Sequence, residues 1–246
     1  MPSDRTPVTL DAMPEPGQPA FDRLVERIQR FRQAIPASVK IVAVTKYTAP
    51  WTMRAAYHAG IRDFGENRVQ DAAQKQEILS DLSDVTWHLI GHLQSNKALK
   101  AIQIFDCIQS IDSMALAERL DRLLASSDPT IARTRSTCLQ IKLLPDDTKS
   151  GWTLPDLQKS LPALQQLQHL NIQGIMVIPP IGLTIVELRE YFQQALSVVS
   201  ELEAFGLKLP IRSMGMSDDY AIAIEQGATL VRPGRILFQA PAEPYI

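Results

Sequence analysis

From Val39 onward the chain alternates short apolar, β-branched runs with longer stretches whose apolar residues fall at helical spacing. The runs at 39–45, 61–65, 86–90, 105–110, 136–143, 171–178, 209–213 and 229–232 read as buried strands. Amphipathic stretches at 51–59, 68–79, 97–102, 114–126, 157–167, 186–205 and 218–226 read as the helices between them. One more helix is predicted ahead of the first strand, over 21–35, from the spacing of Phe21, Leu24, Val25, Ile28 and Phe31.

Strands that alternate with helices are parallel strands joined by crossovers. An open doubly wound sheet and a closed barrel both satisfy that order. No glycine-rich dinucleotide fingerprint follows the first strand, and no linker splits the chain. The pattern therefore predicts an α/β fold, a single (β/α)8 barrel over residues 20–246 with an extra N-terminal helix. Residues 1–19 carry five prolines and no apolar core of a signal peptide, so they read as a flexible tail.

Composition narrows the function. The net charge is -2, with no lysine- or arginine-rich block, which disfavours nucleic acid and anionic membrane as partners. No apolar stretch reaches membrane-spanning length. Cys107 and Cys138 both sit in apolar runs and read as buried thiols, not as a disulfide or metal site. A cytoplasmic protein is expected.

In such barrels the site lies at the carboxyl ends of the strands. Lys46 closes the first strand, where partial desolvation of its amine favours Schiff-base chemistry; the alternative is a lysine snorkelling to solvent. Ser213-Met214-Gly215-Met216-Ser217 and Arg232-Pro233-Gly234-Arg235 end the last two strands. The Ser213 hydroxyl and the Met214, Gly215, Gly234 and Arg235 amides could converge on a phosphate. Alternatively the glycines only allow turns and Ser217 caps a helix. Arg232 ends an apolar strand and would face a phosphate, a carboxylate, a ring nitrogen or a buried ion-pair partner. Asn67 follows the second strand as either a hydrogen-bond partner for a ring oxygen or a helix cap. His88, inside a strand, reads as a satisfied core histidine, and His92 as a rim residue. His58 and His169 read as structural, and no histidine spacing fits a metal site. A lysine facing a phosphate site implies an aldehyde-bearing phosphate: pyridoxal 5'-phosphate (PLP), or the substrate of a sugar-phosphate aldolase.

Several motifs appear in order: IVAVTK at 41–46, FGENRVQ at 64–70, WHLIGHLQSNK at 87–97, SID at 110–112, KSG at 149–151, GIM at 174–176, SMGMSD at 213–218 and VRPG at 231–234. Together they resemble the YggS/PROSC family of pyridoxal phosphate homeostasis proteins, its cyanobacterial branch in particular, over roughly 21–240. The resemblance implies a barrel of the alanine-racemase N-terminal-domain type (PLP fold type III). It implies PLP held as a Schiff base on Lys46, phosphate contacts from Ser213, Met214, Gly215, Gly234 and Arg235, Asn67 near the ring hydroxyl, and Arg232 facing the pyridine nitrogen. An arginine there weakens the cofactor as an electron sink.

It also implies a role in vitamin B6 and amino-acid homeostasis without established catalysis, with PLP-acceptor apoenzymes as partners. Related racemases bring a further β-domain and a partner subunit to the site. Here the sequence stops soon after the eighth strand, so an open cofactor face and a monomer are expected. Weak amino-acid racemase or lyase activity is the alternative. Three positions depart from the family pattern: Arg235 replaces a Ser or Thr, Gln239 a Gly, and Pro233 fills a variable place.

Overall fold

The computed structural model describes residues 14–128, 132–146 and 148–239. Most of the predicted tail, 1–13, and the chain end, 240–246, lie outside the described residues, as does Asp147.

Eight parallel strands close into a barrel in sequence order. They are β1 (Lys40–Val44), β2 (Asp63–Glu66), β3 (Thr86–Leu89), β4 (Cys107–Ile111), β5 (Ser136–Ile141), β6 (Ile172–Val177), β7 (Ile211–Ser213) and β8 (Leu230–Val231). β1 pairs with both β2 and β8, which closes the ring. The helices are α1 (Pro19–Ala34), α2 (Pro50–His58), α3 (Val69–Ile78), α4 (Ala98–Ile104), α5 (Met114–Ser126), α6 (Leu154–Leu164), α7 (Ile185–Ala204), α8 (Tyr220–Glu225) and α9 (Arg235–Phe238). All eight predicted strands and the eight predicted helices are present.

The deviations have local causes. α6 starts three residues before its predicted onset because Thr153 accepts from the Asp156 amide and Pro155 follows in the first turn, where its missing donor costs nothing. α9 was not anticipated, since four residues are too few to show a period. α7 is held at its start by a capping box between Thr184 and Glu187. α1 buries Phe21, Leu24, Ile28 and Phe31 and packs on α2 and α9.

The barrel interior carries a polar thread within its apolar lining. Arg232, Ser213, Gln109, His88 and Asp63 are linked in that order by side-chain hydrogen bonds of 2.6–2.9 Å. Elsewhere the walls meet closely. A Cβ on Gly174 would stand 2.1 Å from the Ile211 carbonyl oxygen, so β6 and β7 need glycine there. Among the described residues no helix is long and apolar enough to cross a membrane, and no group of three His, Cys, Asp or Glu could hold a metal.

Candidate functional site at the carboxyl ends of the strands

Lys46 lies two residues beyond the end of β1, half-buried, with its Nζ 5.2 Å from the Tyr47 ring centre. The backbone leading to it is fixed on both sides. The Thr45 amide donates to the Gly65 carbonyl, and the Thr45 carbonyl accepts from Lys75 Nζ at 2.6 Å. Thr45 Oγ1 and Lys75 Nζ both donate to Glu66 Oε1, whose side chain is fully buried. Sequence reasoning did not find Lys75. Its only signal is a lysine on α3 one helix face away from a strand-end glutamate.

The loops after β7 and β8 meet as predicted, but their atoms are distributed differently. Ser213 points into the barrel, donating to Gln109 Oε1 at 2.6 Å and accepting from Arg232 Nη1 at 2.7 Å. The Met214 amide donates to the Leu230 carbonyl, so among the amides expected to converge this one is engaged by the sheet. Gly215 has φ +95, and a Cβ there would stand 2.7 Å from Ala223 Cβ; glycine is required by both conformation and space. Ser217 does not cap α8, whose first turn is preceded by Asp219. Its Oγ instead accepts from the amides of Gly234 and Ile236, at 3.1 and 3.2 Å. Two amides of one turn thus converge on a single oxygen.

Arg232 is buried without an ion-pair partner among the described residues. Nη1 donates to Ser213 and Nη2 to the Val177 carbonyl at 2.8 Å. Burial pulls its pKa down to about 10, opposed by Asp219. Asp219 is itself raised by burial, and it accepts from the Met216 amide. The Arg235 side chain is exposed and paired with Asp218, which leaves its backbone amide at the start of α9.

Asn67 directly follows β2, and Arg68, not Asn67, occupies the cap position of α3. With Gly91 and His92 it lines a pocket of about 510 Å³. A Cβ on Gly91 would lie 2.4 Å from the Asn67 carbonyl oxygen, so Gly91 sets where Asn67 can sit. His92 reaches the rim, with Nδ1 2.6 Å from Asp112 Oδ2 and 3.2 Å from Ser150 Oγ. Both contacts use the same nitrogen, which is not the arrangement of a nucleophile–base–acid triad. His88 is a satisfied core residue, between Asp63 and Gln109. His58 is exposed at the end of α2 against the Phe21 ring, while His169 lies in the turn before β6, not in a helix.

Three buried polar atoms have no partner among the described side chains near this end: Glu66 Oε2, Ser110 Oγ and Gln140 Oε1. Each belongs to the last two residues of its strand. Unpaired buried polar atoms are costly, and Glu66 carries its own on the helix side of β2, where Lys75 reaches the other oxygen.

The alanine racemase N-terminal domain family matches residues 20–241. A pyridoxal phosphate homeostasis protein of Synechocystis sp. is 45% identical over 205 residues, covering 83% of this chain and 92% of the relative. PipY of Synechococcus elongatus, solved with PLP bound, is 49% identical with a TM-score of 0.82, over 87% of this chain and 99% of its own. Alanine racemase from E. faecalis shares the fold, with a TM-score of 0.69 at 15% identity, over 90% of this chain and 58% of the racemase. On these matches the chain belongs to the pyridoxal phosphate homeostasis protein family.

Proposed function

We propose that this protein binds PLP and holds it in reserve for vitamin B6 and amino-acid homeostasis, with residues 20–246 as the binding unit. The observation that carries the reading is Lys46, half-buried just past β1, at the same end of the barrel as the joined β7 and β8 turns. The PLP-bound relative PipY supports it. The residues present suit the group. PLP supplies an aldehyde able to condense with a primary amine, and Lys46 is the amine offered there.

Gly215, Gly234 and Arg235 present backbone donors for the phosphate, with Ser217 already drawing the Gly234 and Ile236 amides to one oxygen acceptor. Ser213 and Met214 shape this wall from within. Asn67, positioned by Gly91, takes the ring hydroxyl. Arg232 is the group for the ring nitrogen. A guanidinium that keeps its proton can only donate, so that nitrogen stays an acceptor and the ring is a poor electron sink. This favours holding over turnover, with apoenzymes that need PLP as the acceptors and a monomer as the working form.

Purified full-length protein incubated with PLP and then desalted should retain a visible absorbance band. Borohydride should fix the cofactor to the Lys46 peptide. Lys46→Ala should lose both signals while keeping its circular dichroism. A wild-type protein that stays colourless after added PLP overturns the reading. Release of PLP to an apoenzyme and light scattering of the eluted protein test the acceptor and monomer proposals.

A further inference from the structure

The polar thread through the barrel has a direction. It climbs from Asp63, the first residue of β2, through His88 on β3, Gln109 on β4 and Ser213 at the end of β7, to Arg232 just past β8. It thus joins the amino-terminal mouth to the end of the barrel that carries Lys46. His88, Gln109, Ser213 and Arg232 are buried, and Asp63 is half-buried at the mouth. The proposed cofactor contacts use only the last two members.

The donors can be assigned atom by atom. A guanidinium only donates, so Arg232 Nη1 donates to Ser213 Oγ at 2.7 Å. The Ser213 hydroxyl donates in turn to Gln109 Oε1 at 2.6 Å. That fixes the amide. Its Nε2 faces His88 Nδ1 at 2.9 Å, and an amide nitrogen only donates. His88 Nδ1 is therefore the acceptor, its proton is on Nε2, and Asp63 Oδ1 receives it at 2.8 Å. Every hydrogen bond of the thread points away from Arg232 and towards the Asp63 carboxylate, so each dipole turns its negative end to the guanidinium. Hydrogen bonds aligned in this way reinforce one another in a dry interior. On its other side the guanidinium is held by the Val177 carbonyl, 2.8 Å from Nη2.

Burial opposes a second proton on His88 and the bond to Asp63 favours one, with a net rise in its pKa. That proton would sit on Nδ1 and face a donor. His88 therefore charges only if the Gln109 amide turns over, and Ser213 then loses its acceptor.

We propose that Gln109, His88 and Asp63 are positioning residues for Arg232, fixing from the far mouth of the barrel the guanidinium that meets the pyridine nitrogen of PLP. This rests on Arg232 being the group for that nitrogen. Gln109 is the central link, because its amide passes the orientation of His88 on to Ser213. A methionine in its place has similar length and no strong donor or acceptor. It frees the Ser213 hydroxyl to turn while the Arg232–Ser213 contact persists.

Two measurements test this on full-length protein. Without PLP, nitrogen NMR of labelled histidine reads the His88 tautomer, with His88→Asn identifying its signals among the four histidines. Wild type should carry the proton on Nε2 alone. Asp63→Asn, whose amide can donate as well as accept, should mix in the Nδ1 tautomer. A proton on Nδ1 in wild type reverses the thread and overturns the proposal, whatever the variants do. The second measurement uses PLP isotopically labelled at its ring nitrogen. Gln109→Met should move the ring resonance towards the protonated position. It should also weaken PLP retention about tenfold, the scale of one hydrogen bond to a charged group. His88→Asn, whose amide oxygen stands in for Nδ1, should stay close to wild type in both readouts. Circular dichroism checks that each variant is folded. If Arg232→Gln moves the resonance and a folded Gln109→Met does not, the proposal fails while the role of Arg232 stands. If neither moves it, or wild type takes up no PLP, that role fails and the proposal with it.

Discussion

Lys75 Nζ sits 2.6 Å from the carbonyl oxygen of Thr45, one residue before Lys46, and so ties the end of β1 to helix α3. The same ammonium neutralises Glu66, whose side chain has no exposure. Lys75→Met should leave that carboxylate buried without a cation, at a cost of about 3–5 kcal/mol in urea denaturation. Adding Glu66→Gln should recover most of it, because an amide needs no counter-charge. PLP retention should fall in the single variant. A single variant as stable as wild type would show that the pair does not anchor the strand end.

Ser213 satisfies two buried groups at once, Gln109 and Arg232. Ser213→Ala strands one atom on each and should cost about 1–3 kcal/mol for each group left unsatisfied. Arg232→Gln should weaken PLP retention in equilibrium dialysis with Lys46 unchanged. Retention equal to wild type would remove Arg232 from the site.

Gly91→Ala forces a methyl against the Asn67 backbone, where the built Cβ lies 2.4 Å from a carbonyl oxygen that cannot rotate away. A stability loss of about 1–3 kcal/mol is expected, as for other overpacked positions. PLP should bind more weakly through displacement of Asn67. Unaltered affinity would mean that Asn67 does not touch the cofactor.

Asp63 carries an acid-side prediction. Burial pushes its carboxyl up, but the hydrogen bond from His88 and the charges of His88 and Lys40 prevail, and its pKa is lowered. The folded state therefore holds the proton less tightly than the unfolded chain. The stability this contributes is complete above the ordinary carboxylate value of about 3.9 and is lost as pH falls through the lower folded value. Urea midpoints measured from pH 5 down to pH 3 should fall more steeply for wild type than for Asp63→Asn. Parallel slopes would contradict the assignment.

The architecture was readable because hydrophobic period and strand–helix alternation are properties of whole segments. Eight apolar runs, each followed by a helical stretch or the chain end, leave few closed arrangements. What the pattern could not give is the pairing of side chains far apart in sequence. Ser213 was expected at the phosphate, yet its hydroxyl joins Gln109 from a strand 104 residues away. Ser217 was weighed as a helix cap, but it serves the β8–α9 turn. Nothing in the linear pattern ties Lys75 to Glu66 or to the end of β1. Such choices depend on which donors lack partners once the barrel has closed, and a linear reading does not contain that information.

The Ser217 hydroxyl has one further consequence. By holding two amides in place, it sets the shape of the β8 turn while the chain folds, so an arriving anion has no loop to order. If phosphate binds this turn as proposed, it has to win those donors from an internal alcohol, which returns to them when the anion leaves. Departure then leaves the donors satisfied and the turn intact. On the proposed reading, such a reversible internal competitor suits a holder that gives up its cargo as readily as it takes it up.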